Sequence, residues 1–118
     1  MKYFSCTLLI LYFSLSIPAQ DIPFNLVPGW ESTPDGHVAT GLALADINGD
    51  GWKDIVVANG NDINRQHLVV YYNNGDGTFP YTPSWSSADI DFHGHCAAGD
   101  IDQDGWTDIA VSVYIGPD

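Results

Sequence analysis

A segment of ten residues occurs twice in the chain. DINGDGWKDI begins at Asp46 and DIDQDGWTDI begins at Asp100, and the copies are identical at seven of ten positions with an offset of 54 residues. Internal repeats with periods of roughly 20 to 50 residues are typical of solenoids, propellers and other arrays, in which one supersecondary unit is copied. The duplication therefore predicts a repeat architecture for this chain of 118 residues.

Short β-strands are predicted around the first copy. VATGLALA (38–45) precedes it, IVVA (55–58) follows it, and HLVVYY (67–72) comes before NNGDGTF (73–79), whose Asn-Gly and Asp-Gly pairs favour tight turns between strands. No segment keeps the apolar period of a helix. Because several runs are apolar on both sides of the pleat, we expect both faces of each sheet to be covered by neighbouring sheets.

Aspartate dominates the charge of the chain. Three Lys and Arg residues stand against fifteen acids, which gives a net charge of −12, and fourteen of the acids are Asp. Phosphate groups would meet a field of their own sign, so nucleic acid and anionic membrane surfaces are poor partners, and we expect no nucleic acid to bind. The preference for the shorter carboxylate indicates tight turns or oxygen ligands rather than a generally solvated surface.

The N-terminal residues 1–20 have the pattern of a secretory signal peptide. A lysine near the start is followed by an apolar run, and cleavage is expected near Ala19 or Gln20. An uncleaved membrane anchor is the alternative, although the run is shorter than the ~20 residues of a bilayer span. After cleavage we expect secretion without membrane insertion. Residues 21–37 would then form a linker or a terminal strand. A single cysteine, Cys96, remains and has no partner for an internal disulfide.

The duplicated segment has the donor pattern of a calcium loop. Calcium takes six to eight oxygen ligands, which a tight loop supplies from alternate side chains and a backbone carbonyl. Both copies read D-x-[DN]-x-D-G-x-x-D, and the glycine permits the sharp turn. The sequence predicts two Ca²⁺ sites, with the Trp residues contributing their carbonyls: Asp46, Asn48, Asp50, Trp52 and Asp54 in the first loop, and Asp100, Asp102, Asp104, Trp106 and Asp108 in the second.

Two alternatives to this metal site can be weighed from the residues. An EF-hand loop would need an acid at its twelfth position, where Val57 and Val111 stand, and helices around it. The other alternative is that Asp, Asn and Gly simply make good turns. The second copy keeps every ligand position and therefore argues against a turn alone.

Both copies resemble the FG-GAP/VCBS repeat, the unit of integrin α-chain-like β-propellers. The resemblance covers roughly residues 38–116, with Phe92, Gly94 and Gly99 before the second loop at the expected kinds of place and NNGDGTF similar to a turn common in VCBS units. The sequence departs from the family pattern because no Gly-Ala-Pro follows either loop and Asn48 replaces an acid.

The resemblance implies an all-β fold, namely a partial β-propeller with antiparallel blades of about four short strands. Calcium would join two neighbouring strands of a blade, with one repeat over 38–91 and the truncated start of another over 92–118. Because a propeller closes with roughly four to eight blades, we expect a fragment of a longer protein whose remaining blades are its partners.

The family also implies binding or cell adhesion to a protein or carbohydrate, at an extracellular or cell-surface position, with the periplasm as a further option. The chain itself shows no catalytic motif and is expected not to be an enzyme. The competing hypothesis is a parent protein that is a polysaccharide-active enzyme, in which this propeller is a catalytic or non-catalytic part. A fold alone does not separate the two.

Two further features have open interpretations. A regular strand through HGHC would place His93 and His95 on one face, as in a transition-metal site, with Cys96 on the other face. The alternative is an ordinary strand beside the second loop. The indoles of Trp52 and Trp106 either pack between blades or form a sugar-binding platform, and packing is favoured because aromatic side chains bury large areas.

Overall fold

The computed structural model describes residues 27–33 and 36–114. The predicted signal peptide lies outside these residues. The described part is all-β, as predicted, and contains no helix. No helix there has the length and apolar character needed to cross a membrane. Its strands are β1 (Ala39–Ala45), β2 (Asp54–Asn59), β3 (Val69–Tyr71), β4 (Trp85–Ser86), β5 (His93–Gly99) and β6 (Asp108–Val113).

The first repeat folds into one four-stranded sheet in which sequence neighbours are also spatial neighbours. The order is β1-β2-β3-β4, and every pair is antiparallel. The last pair of β1 with β2 joins Ala45 to Asp54, so the first acidic segment is the connection of this hairpin. Strands β5 and β6 form a second sheet, where Gly99 pairs with Asp108 around the second acidic segment. The prediction of an antiparallel blade of about four short strands is confirmed.

The turn after β3 is held by its own polar side chains. Asn73 accepts hydrogen bonds from the backbone N–H groups of Gly75 at 2.9 Å and Gly77 at 3.1 Å through Oδ1. Asp76 Oδ1 accepts from the hydroxyl of Thr78 at 2.6 Å and from its backbone N–H at 2.9 Å. These two bonds to Thr78 lower the pKa of Asp76. The turn therefore keeps a fixed shape next to the β1–β2 loop.

The core lies between the two sheets. Val56 and Val70 of the first sheet and the adjoining Leu68 are almost fully buried, and Cys96 and Ile109 from the second sheet pack against them. Apolar burial of this kind is the main favourable contribution to folding. Contact with the second sheet is thus part of what stabilises the first.

The two backbones come close at the start of β1. The Thr40 hydroxyl lies 3.0 Å from the carbonyl oxygen of Ala58 in its own sheet and 2.7 Å from that of His93 in the other. A Cβ on Gly41 would lie 2.8 Å from the Cα of His95. A side chain at position 41 would therefore collide with the backbone of β5.

The opposite face of the first sheet is open at β1, whereas Val69 and Tyr71 of β3 on the same face are buried. Leu42 and Leu44 are 61% and 60% exposed, and the neighbouring Ile55 and Val57 line a cavity of about 680 Å³. The expectation that both faces are covered is therefore wrong for the β1 part of this face within the described residues. With the offset of 54, Leu42 corresponds to Cys96 and Ile55 to Ile109, and both of the latter are packed in the core. The open face of the first sheet thus corresponds to the face of the second sheet that packs against the core.

Trp30 covers one end of this open face. Its indole packs edge-on against Tyr71 at 5.3 Å between ring centroids and lies 5.8 Å from Phe79. The indole nitrogen donates to the carbonyl of Phe79 at 3.1 Å. In the described part of 21–37 no residue is in a strand. The predicted repeat limits at 38, 91 and 92 remain predictions.

Candidate metal centre

Each acidic loop connects two antiparallel strands and is shaped by its first aspartate. In the first loop Asp46 Oδ1 accepts the backbone N–H groups of Gly49 at 2.8 Å and Asp50 at 3.1 Å, and Oδ2 accepts that of Gly51 at 2.8 Å. Three N–H groups thus converge on one carboxylate. The loop backbone therefore wraps around the side chain of Asp46.

Asn48 and Asp50 contact each other in the first loop. Asn48 Nδ2 donates to Asp50 Oδ2 at 2.8 Å, and Asn48 Oδ1 accepts the N–H of Asp50 at 3.0 Å. Asp50 Oδ1 also accepts the N–H of Trp52 at 2.8 Å. The amide of Asn48 therefore satisfies an oxygen that a second carboxylate at this position would repel.

Asp54 closes the first loop from inside the protein. Its side chain is fully buried, and its Oδ2 accepts the N–H of Ile47 at 2.8 Å. Its Oδ1 accepts the N–H of Asn73 at 2.9 Å, while the Asn73 amide donates to the carbonyl of Lys53 at 3.2 Å. The predicted ligand Asp54 is thus also the link between the loop and the turn after β3.

The second loop repeats this arrangement with more carboxylates. Asp100 accepts the N–H groups of Asp104 and Gly105, each at 3.1 Å, and Asp108 Oδ2 accepts that of Ile101 at 2.9 Å. Ligand atoms of three aspartates lie within 4.8 Å of one another in this loop: Asp100, Asp102 and Asp108.

Asp104 is not part of that group of three. Its Oδ1 accepts the N–H of Trp106 at 2.8 Å, and its own N–H donates to Asp102 Oδ1 at 3.1 Å. This is the position of Asp50 in the first loop, which caps Trp52 in the same way. The structure thus brings first, third and ninth loop positions of the second copy together and leaves the fifth turned toward the backbone.

The donor atoms fit a hard cation such as Ca²⁺. Carboxylate and amide oxygens are the ligands that Ca²⁺ prefers, and each carboxylate oxygen has two acceptor positions. Asp46 Oδ2 and both oxygens of Asp54 are each used by one backbone N–H group, which leaves one position on each. The carbonyl roles of Trp52 and Trp106 remain predictions.

The two loops differ at the residue after the third position. Gly49 in the first loop has φ of 76°, and the equivalent Gln103 in the second has φ of 65°. This left-handed conformation costs a non-glycine residue roughly 1–2 kcal/mol. The second loop therefore holds a strained residue where the first has a glycine.

The indoles of the two loops lie over glycines. A Cβ on Gly49 would lie 3.1 Å from Cζ3 of Trp106, and one on Gly75 would lie 3.7 Å from Nε1 of Trp52. Trp52 is 47% exposed and Trp106 is 63% exposed. Trp106 thus contacts the other repeat's loop, whereas Trp52 contacts the turn of its own repeat.

The HGHC segment does not form the regular strand on which its alternative role depended. The register of β5 with β6 shifts between His93 and Cys96, which breaks the alternation of faces. His93 is consequently fully buried, whereas His95 is exposed. Cys96 packs against the core, and burial raises the pKa of its thiol.

Sequence reasoning missed two residues that shape the loops. Asn73 was recognised as a turn residue, but its contact with Asp54 joins positions 19 residues apart. Gly49 has no role in the predicted donor pattern, although it lies under Trp106. The available signal was the difference at this position between the copies, Gly in one and Gln in the other.

Comparison with known proteins identifies the repeat. The family model described as FG-GAP-like repeat matches residues 46–111, from the first loop into β6. The integrin alpha-3 chains of Mus musculus and Cricetulus griseus are each 34% identical over 87 residues, which cover 64% of this chain.

The matched segment spans 8% of the length of each integrin chain, and no solved structure matches the chain. The antiparallel sheets and the family match together show a partial β-propeller. The chain belongs to the FG-GAP-like repeat family.

Proposed function

We propose that the chain is part of a secreted β-propeller in which calcium stabilises the two hairpin loops and an exposed face binds a protein or carbohydrate ligand in adhesion. Its role is non-catalytic. The likeness to integrin α chains supports adhesion at an extracellular or cell-surface position. The signal-peptide pattern of residues 1–20 supports secretion.

The observation that carries the calcium proposal is the group of Asp100, Asp102 and Asp108 in the second loop. Three carboxylates within 4.8 Å repel one another, and a dication offsets this repulsion while using oxygen ligands that Ca²⁺ prefers. The loop joins β5 to β6, so a bound ion would fix the two strands of the hairpin. Calcium here is structural rather than a sensor's switch.

Terbium luminescence tests the calcium proposal because Tb³⁺ takes oxygen ligands and is sensitised by a nearby indole. Trp52 and Trp106 lie within the two loops, and we expect Trp-excited emission that Ca²⁺ displaces. Asp100→Asn combined with Asp102→Asn should remove the part of the emission that comes from the second loop. Asp62→Asn removes an exposed acid outside both loops and should leave the emission unchanged. Absence of sensitised emission from the folded protein would refute the proposal.

Adhesion needs a separate experiment. We expect the protein to bind a member of a panel of immobilised glycans and extracellular matrix proteins in Ca²⁺, and to lose that binding in a chelator. Asp62→Asn again serves as the control. Turnover of a polysaccharide by the isolated protein would contradict the non-catalytic role.

A further inference from the structure

We infer that Trp106 couples the two calcium loops, so that an ion in one loop strengthens ion binding in the other. This inference rests on the proposed calcium sites and adds a regulatory relationship between them. It starts from the contact between Trp106 of the second loop and Gly49 of the first.

The contact is close and joins parts of the loops that matter for ligand geometry. A Cβ on Gly49 would lie 3.1 Å from Cζ3 of Trp106 and 3.9 Å from both Cε3 and Cη2, so the ring lies directly against the glycine. Gly49 stands between the predicted ligands Asn48 and Asp50 and donates its N–H to Asp46 at 2.8 Å. The indole thus rests on the backbone that carries the first ligand set.

Trp106 is equally tied to the second loop. Its backbone N–H donates to Asp104 at 2.8 Å, and its carbonyl is the predicted ligand at the seventh loop position. An ion that fixes this backbone therefore also fixes the base from which the indole projects onto Gly49. The equivalent Trp52 projects onto Gly75 of its own repeat, which makes it a matched control.

An ion that orders one loop also orders the indole contact, so a second ion loses less conformational entropy when it binds the other loop. This produces positive cooperativity without a change of fold. Electrostatics acts in the opposite direction, because a cation in one loop reduces the negative potential at the other. Salt screens this second effect but leaves the packing contact intact. Positive coupling should therefore be clearest at high ionic strength.

The test is a pair of calcium titrations of the full chain, read from the backbone amide NMR signals of Gly51 and Gly105, in about 1 M KCl, where the Debye length is about 3 Å. Disabling the second loop with Asp100→Asn and Asp102→Asn should weaken calcium binding at Gly51 about fivefold, the lower end of typical coupling. Coupling is reciprocal. Disabling the first loop with Asp46→Asn and Asp50→Asn should therefore weaken binding at Gly105 by the same factor.

Trp106→Ala keeps the backbone carbonyl and every carboxylate but removes the indole. In this background the loops should fill independently, whereas Trp52→Ala should leave the fivefold effect in place. Should Trp106→Ala not fold, the reciprocal pair in the native background still decides whether the loops are coupled. Loops that bind calcium independently in the native protein overturn this inference alone. The absence of any calcium-dependent shift at either glycine overturns the proposed function as well.

Discussion

Asp54 accepts the backbone N–H of Asn73 at 2.9 Å and thereby connects the first acidic loop to the turn after β3. Its other oxygen accepts from Ile47 at 2.8 Å, and the side chain is fully buried. A residue that sequence assigns to metal binding thus has a structural role of its own, and that role does not depend on an ion.

Replacing Asp54 should destabilise the protein even in a chelator. Asp54→Asn keeps one acceptor oxygen and puts an NH₂ group against one of the two backbone N–H donors. A buried donor then loses its partner, which should lower the free energy of unfolding by about 2 kcal/mol. The matched Asp108→Asn affects a half-buried side chain and should cost about half as much. Urea denaturation with EGTA present measures both, and equal losses would contradict this account.

Relieving the strained residue of the second loop should stabilise the protein. Gln103→Gly removes the penalty of φ at 65° and should raise the free energy of unfolding by about 1 kcal/mol, after allowing for the greater entropy of unfolded glycine. Gln103→Ala keeps a Cβ and should give no gain. A loss of stability in Gln103→Gly, measured by urea denaturation, would show that the conformation is not strained.

The second loop should fill with calcium before the first. It carries four aspartates where the first has three and Asn48, and the hydrogen bond from Asn48 to Asp50 already occupies one oxygen of the first loop. The second loop therefore has more repulsion for an ion to relieve. In a calcium titration the amide signal of Gly105 should shift at lower concentration than that of Gly51, and the reverse order would refute this prediction.

The contribution of Asp89 to stability should disappear in acid. Its carboxylate lies 3.2 Å from Nε2 of the buried His93, and hydrogen bonds from Ser87 and then His93 lower its pKa below the ordinary 3.8. Since the folded-state pKa is the lower one, the stabilisation is present above pH 3.8 and is lost as pH falls through the folded value.

Asp89→Asn should therefore lower the free energy of unfolding at neutral pH, by less than about 1 kcal/mol because the carboxylate is mostly exposed. The difference from the native protein should vanish once Asp89 is protonated. Asp62→Asn is the control and should show no such pH dependence. A destabilisation by Asp89→Asn that persists at low pH would mean that its charge is not responsible.

Gly41→Ala should destabilise the packing of the first sheet against the second. The added methyl group would lie 2.8 Å from the Cα of His95 and 3.0 Å from the backbone nitrogen of Cys96, and backbone atoms cannot rotate away as a side chain can. We expect a loss of about 1–3 kcal/mol, measured by urea denaturation. Gly29→Ala has no neighbour within 4 Å and should be nearly neutral. A neutral Gly41→Ala would mean that the sheets are less closely packed at this point.

Sequence predicted the strands and hairpin loops because their signals are local. Alternating acids and a glycine between two apolar runs suffice to place a tight connection between Ala45 and Asp54. The contact of Asp54 with Asn73 was beyond such reasoning, because it depends on how two separate turns are folded. The prediction that His93 and His95 share one face of a strand assumed a two-residue period, which the register shift in β5 interrupts.

The exposure of Leu42 and Leu44 was missed for a different reason. Apolar runs show that a face needs cover, but they do not show which other residues supply it. With the offset of 54, the face of Leu42 in the first sheet corresponds to the face of Cys96 and Ile109 in the second sheet. Only the structure shows that this face is packed in the second sheet and exposed at Leu42 in the first.

The equivalence of Leu42 with Cys96 and of Ile55 with Ile109 bears on how such a chain grows during evolution. The second sheet packs on one face of the first through Cys96 and Ile109, and the first sheet has the equivalent face exposed at Leu42. An in-frame duplication of 54 codons would therefore insert a unit whose two surfaces already match those on either side. Gene duplication alone can lengthen such a protein without the prior evolution of a new interface.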